Sequence, residues 1–222
     1  MDHILEPNAQ FEFSNLTMVS PTALSGGVYF IRVLTKDQTP VYIQSPKCTT
    51  KQGIIKTNKK MHSDLVFKHE NESFLEFWES MESYCQKKLY EYKEKWFDSD
   101  LSEDDIENSF TPITKSYKSG KFFIIRVNIP IRLGKSNLKI FDENENDLSL
   151  DRITDSTNMM TIMELQGIRC TSRNFQLEIE LKQVMVMNDV NLFEKCIFAR
   201  PGVKTLAKEQ HEEIPEEAAI LP

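Results

Sequence analysis

Several things are missing from this chain of 222 residues. No run approaches the roughly 18 apolar residues of a membrane span. The opening MDHILEPNAQF has neither the basic start nor the apolar stretch of a secretory leader. Glycine is scarce, at seven residues, and no long internal repeat is visible. Four cysteines, Cys48, Cys85, Cys170 and Cys196, stand far apart with no CxxC pair. That spacing argues against a zinc site and for reduced thiols inside a cell. No P-loop or GxGxxG turn is present, and the four histidines, His3, His62, His69 and His211, lack metal-ligand spacing. His62-Ser63-Asp64 holds triad residue types, but neighbours on a strand alternate sides and cannot form a triad. Asp142 to Asp147 begins like a calcium loop, yet Asp147 replaces the required glycine and Ile153 the closing acid. These absences predict a soluble intracellular protein without catalysis, metal or cofactor.

What is present is charge, unevenly placed. The chain has 34 acidic and 27 basic side chains, a net charge of −7. Residues 45–60 nevertheless carry five lysines, Lys47, Lys51, Lys56, Lys59 and Lys60, with no acid, and read as a turn-like segment. Residues 108–141 carry Lys115, Lys118, Lys121, Arg126, Arg132, Lys135 and Lys139, again without an acid. Acids gather instead at 98–107, at 142–151 and in the last stretch, where five glutamates fall between 209 and 217. Basic and acidic surfaces are therefore separated. Lysine and arginine suit phosphates because binding releases condensed counterions. Single strands also need rings on which bases stack, and Tyr42, Tyr117 and Phe122 lie within or beside the basic segments. A solvated lysine loop is the plain alternative.

The apolar pattern supplies the frame. Residues 1–26 read as an N-terminal arm. GVYFIRVL (27–34) and TPVYIQS (39–45) read as a hairpin, and SDLVF (63–67) as a third strand. Over 72–97, Phe74, Phe77, Trp78, Met81, Cys85, Leu89, Tyr92 and Trp96 recur at three and four residues, predicting one long amphipathic helix. Ser73 and Glu76 suggest a capping box at its start. Residues 98–107 read as a solvated loop with a short second helix. KFFIIRVNIPIRL (121–133) alternates, with Phe123, Ile125, Val127, Ile129 and Ile131 on one face and Phe122, Arg126, Asn128 and Arg132 on the other. NLKIF (137–141) and NDLSL (146–150) read as short strands. Residues 159–170 and 174–187 read as a second hairpin, with Gly167 marking a bulge. Cys48, set among lysines, could carry a lowered thiol pKa, although an ordinary exposed thiol is the plainer reading.

The fold class is thus α+β and mostly β. Three strands, one long helix and further strands match the order of an OB-like antiparallel barrel, whose helix lies between the third and fourth strands, an order that other α+β folds share. The predicted organisation is an arm at 1–26, a barrel domain at 27–190, and an extension with a disordered acidic tail at 191–222.

The phrases VYIQSPKCTTKQGI, FWESMESYCQ and YKSGKFFIIRVNIP resemble OB-fold single-stranded DNA-binding proteins of nucleocytoplasmic large DNA viruses. The likeness spans roughly residues 27 to 187. It implies a sequence-tolerant binder of single-stranded DNA acting in viral replication, recombination or repair, in the host cytoplasm or the virion. Oligomerisation is allowed by that reading, and membrane contact is not part of it. Carried onto this chain, the contacts would be Lys47, Lys51, Lys56, Lys59, Lys60, Lys118, Lys121, Phe122 and Arg126, with Tyr117 added as a stacking ring. The acidic tail would recruit replication proteins and compete with DNA for the basic groove, although it lacks the terminal aromatic residue common in the group. The rival reading is a non-enzymatic virion scaffold, in which Phe122 would be buried in a subunit contact.

Overall fold

A computed structural model describes residues 4–5, 7, 11–57, 60–97 and 100–187. The extension and acidic tail lie outside the described residues. Fifteen strands and two α-helices occur among those described. In chain order the early strands are β1 (Ile4–Leu5), β2 (Leu16–Met18), β3 (Thr22–Leu24), β4 (Val28–Thr35), β5 (Val41–Gln44), β6 (Thr49–Lys56) and β7 (Met61–Lys68). Helices α1 (Glu72–Trp96) and α2 (Glu103–Ser109) follow. Then come β8 (Phe110–Thr111), β9 (Thr114–Tyr117), β10 (Phe122–Ile129), β11 (Ile131–Arg132), β12 (Lys135–Ser136), β13 (Lys139–Phe141), β14 (Met159–Cys170) and β15 (Phe175–Val186).

Strands β14 and β15 organise the sheet. They pair along their whole lengths as the predicted hairpin, and β14 carries β4 and β5 on its other edge. The main path runs β1-β5-β14-β15-β10-β7-β6. It is open rather than a closed barrel, which corrects the barrel expectation. The segment before β6 is joined back to β14 by an isolated bridge, Cys48 to Met159, with N···O distances of 2.8 and 2.9 Å, and by Ser45, whose N–H donates to the Thr161 carbonyl at 2.8 Å. Gly167 does mark a bulge. The register shifts between Leu165 and Gly167, and a Cβ at Gly167 would lie 2.1 Å from the carbonyl oxygen of Ile31. Only glycine lets β4 approach β14 so closely.

Helix α1 covers the inner face. Phe74, Leu75, Phe77, Trp78, Met81, Cys85 and Leu89 are buried, as the three- and four-residue spacing requires. Tyr92, in contrast, is exposed and stacks on Trp96 at 4.5 Å. The Ser73–Glu76 box does not form. A 3-10 turn at His69–Asn71 leads into the helix, and Asn71 Oδ1 accepts from Lys68 N–H at 3.2 Å. The short second helix is present, capped by Ser102 and Asp105, with Ile106 buried.

Four further expectations need correction. The supposed arm joins the fold, because β1 pairs with β5 and β2 and β3 pair with β4. Phe11 and Phe13 pack on Phe77 at 5.3 and 5.7 Å. The hairpin expected over 27–45 closes only at the Leu34–Pro40 bridge, after which β4 and β5 continue on β14 instead. The lysine segment is a strand, not a turn: β6 pairs with β7 and breaks register between Thr50 and Ile54. NDLSL at 146–150 forms no strand, whereas β13 lies within 137–141 as expected.

Candidate nucleic-acid interface

The register break in β6 sets up the site. Gly53, at φ +69°, lies so close to Ile153 that a Cβ would meet its carbonyl oxygen at 2.7 Å. Thr50 Oγ accepts from Gly53 N–H at 2.6 Å and donates to the Thr154 carbonyl at 2.9 Å. The bulge so held leaves Lys51 exposed on the sheet surface.

Strand β9 pairs antiparallel with β10, placing Tyr117 directly opposite Phe122. The loop between them, Lys118 to Lys121, has left-handed backbone at Lys118, Ser119 and Gly120. This turn folds Lys118 back over both rings, its Nζ 5.4 Å from the centre of Tyr117 and 5.6 Å from that of Phe122. Lys51 Nζ lies 5.3 Å from the Tyr117 ring. Both rings are half-buried. Two aromatic faces and two ammonium groups thus converge from three strands.

Below them lies a groove of about 270 Å³, lined among others by Lys51, Asp64, Lys115, Tyr117, Ile124 and Arg126. Alternation on β10 behaves as the sequence predicts: Ile125, Val127 and Ile129 are buried, and Arg126 and Asn128 are exposed. Arg126 is not a free cation, however. It faces Asp64 on β7 and donates from Nε at 2.7 Å and from a terminal nitrogen at 2.9 Å. Arg126 stays 58% exposed while Asp64 is 7% exposed. The Arg126 hydrogen bonds hold the Asp64 carboxyl below its ordinary pKa against the opposing effect of burial, with Lys51 and His62 adding smaller pulls. Asp64 in turn raises the pKa of Arg126.

The predicted contacts therefore divide. Lys51, Tyr117, Lys118, Phe122 and Arg126 come together, and Lys121 stands exposed on the same loop. Lys56 and Lys60 are exposed at the other end of the β6–β7 hairpin, where Lys60 borders a second cleft with Asn128, Glu178 and Glu180. Lys47 is exposed on the β5–β6 connection and does not line the groove. Lys59 lies outside the described residues. Tyr42 stands elsewhere, on β5 opposite Glu164. Two charged groove residues were not among the predicted contacts: Lys115, visible in the basic stretch, and Asp64, which no local pattern marks.

Elsewhere the chemistry is structural. Cys48 is buried, and burial pushes its thiol pKa up to about 12, the opposite of the shift expected from its lysine neighbours. Glu164 is buried on β14 and ion-paired to Arg32 at 3.4 Å and to Lys182 at 2.7 Å. Asp142 accepts backbone bonds from Asn144 and Asn146 at 2.8 and 2.9 Å, so its loop is tied by its own turn. No cluster of potential metal ligands occurs among the described residues, and no helix among them is long and apolar enough to cross a membrane.

The chain matches no family model and no curated protein. Six chains of solved structures are similar to it, two of them from one phage protein. One is the single-stranded DNA-binding protein of bacteriophage Enc34 in complex with single-stranded DNA, at 9% identity and a TM-score of 0.46, covering 77% of this chain and 96% of the phage chain. The other is a C-terminal truncation of that protein, at 10% identity and a TM-score of 0.46, covering 78% and 95%. Both neighbours are single-stranded DNA-binding proteins, and at this identity and TM-score the likeness carries no argument about the chemistry of the present chain.

Proposed function

We propose that this chain is a non-enzymatic protein that binds single-stranded DNA with little regard to sequence. One observation carries the reading: Tyr117 and Phe122, paired across β9 and β10, lie under lysine ammonium groups at 5.3 to 5.6 Å from their ring centres. Every base has a face that can stack on such a ring, so the platform is indifferent to sequence. A base arriving on Tyr117 displaces an ammonium from the ring and leaves it beside the phosphate of the same nucleotide. Lys51, Lys115, Lys118 and Lys121 have no carboxylate partner within ion-pair distance among the described residues, so each brings a full charge to the backbone. A virion scaffold would bury Phe122 in a subunit contact, and here the half-buried ring lies beneath the Lys118 ammonium. The resemblance to proteins of large DNA viruses extends the proposal to replication, recombination or repair in such a virus, with the acidic tail as a contact for partner proteins.

Fluorescence anisotropy with a labelled oligonucleotide, titrated at several salt concentrations, tests the reading. Affinity falls log-linearly with salt, and RNA and duplex competitors define the preference. Tyr117→Ala costs about 1–3 kcal/mol of binding with little change in salt slope, because it removes stacking and not charge. No binding at low salt, even with residues 205–222 removed, would sink the proposal.

A further inference from the structure

The chain from Ile131 to Ser136 is a small hairpin of its own. After Pro130, β11 and β12 pair, among the described residues, only with each other, in a separate two-stranded sheet. Its turn is Leu133-Gly134, with φ of +52° and +77°. Two-residue turns with both centres left-handed favour Asn-Gly or Asp-Gly, since a side chain with a Cβ and no local hydrogen bond is disfavoured there. Leu133 is also 97% exposed. A lone exposed leucine needs no explanation, but one held in left-handed backbone does. Directly below it, Arg132 and Lys135 face each other across the hairpin, both exposed, and like charges so placed repel. Neither has a carboxylate within ion-pair distance among the described residues.

All three features are unfavourable to the free hairpin, and all three suit a polyanion carrying flat apolar bases. From this we propose that the hairpin is a wedge, in which Leu133 inserts between two bases while Arg132 and Lys135 hold the flanking phosphates. Apolar side chains that enter base steps elsewhere part the stack in this way. The inference rests on the proposed single-strand binding. Its position fits that reading, because the hairpin leaves the end of β10 farthest from Phe122, about 23 Å along the strand. At its foot, Ile131 borders the second cleft with Lys60 and Arg169. A nucleic acid held in the groove would meet Leu133 as it leaves, and at a fork the leucine would separate the first pair. An anionic lipid surface shares part of the chemistry, but the continuity with β10 favours nucleic acid.

The test compares the full chain with its Leu133→Asn variant. Asparagine suits the turn, so the variant unfolds at the same temperature as the parent or higher. The probes are a single-stranded oligonucleotide, a forked duplex with 2-aminopurine at the junction, and vesicles containing phosphatidylserine. The parent raises 2-aminopurine fluorescence on the fork. The variant loses that rise and binds the fork about fivefold or more weakly, the low end of one stacking contact. Equal fluorescence rises with both proteins would overturn the wedge alone. Leu133-dependent vesicle binding without a fluorescence rise would overturn it in favour of lipid. A parent that binds no single strand at low salt would overturn both the wedge and the binding proposal.

Discussion

Replacing Asp64 with Asn should strengthen DNA binding, although Asp64 touches no predicted contact except Arg126. The carboxylate cancels the Arg126 charge by a two-pronged pair at 2.7 and 2.9 Å. Asparagine keeps an acceptor for the guanidinium and removes the negative charge, so a further cation faces the groove. Each cation that meets a phosphate of a single strand contributes about 0.7 to the slope of log K against log salt. One more should steepen that slope by about 0.7 and tighten binding about eightfold at 50 mM salt but only about threefold at 200 mM. The fold should lose about 1–2 kcal/mol, the range for weakening a charge-assisted hydrogen bond at a partly exposed pair. The assay is the anisotropy titration at pH 6, where the parent Asp64 is ionised. An unchanged slope in a folded variant would show that Arg126 lies off the DNA path, and a weaker complex would show that the intact pair is what the strand recognises. Because the folded-state pKa of Asp64 is lowered, its stabilising contribution is complete above the ordinary value of 3.8 and fades as pH falls through the folded value. Urea midpoints of the parent should therefore fall below pH 4 by more than those of Asp64→Asn.

Two other predictions concern the frame. Gly167→Ala places a Cβ 2.1 Å from the Ile31 carbonyl oxygen, which forces β4 off β14 and costs about 3 kcal/mol or more, read as a lowered midpoint in thermal unfolding. A midpoint equal to the parent would mean that the close approach does not exist. Cys48, Cys85 and Cys170 are buried with raised pKa values, so they should resist a thiol reagent at pH 8 until denaturant is added. Rapid native labelling of Cys48, checked by mass spectrometry, would contradict its bridge to Met159.

Elements with an unbroken period were legible in the sequence. The helix shows in the stripe from Phe74 to Leu89, β10 in the alternation of Ile125, Val127 and Ile129, and the last hairpin in two long runs around a short turn. Gly167 could be read as a bulge because it interrupts an otherwise regular strand. Strand β6 could not be read, since its own bulge at Thr50–Ile54 breaks the alternation and its lysines mimic a loop. The N-terminal strands are two or three residues long and exist through pairing with β4 and β5, which is tertiary and leaves no local mark. The site was half legible for the same reason. Lys51, Tyr117, Lys118 and Phe122 stood out by type, whereas Asp64 meets Arg126 only through the register of β7 on β10. Cys48 misled because its sequence neighbours are lysines and its neighbour in space is Met159.

Among the described residues strand β6 ends the sheet path and pairs only with β7, so its outer edge offers backbone groups that another chain could extend. A bulge that bends such an edge, and lysines standing on it, are the means by which proteins discourage unwanted strand addition. Lys51, which faces the groove, and Lys56, at the end of the same strand, are both exposed lysines of this kind. Apolar replacements at either position would remove two properties together, producing a protein that binds less DNA and self-associates more. Glutamine at the same positions would separate them, lowering charge while leaving the edge polar.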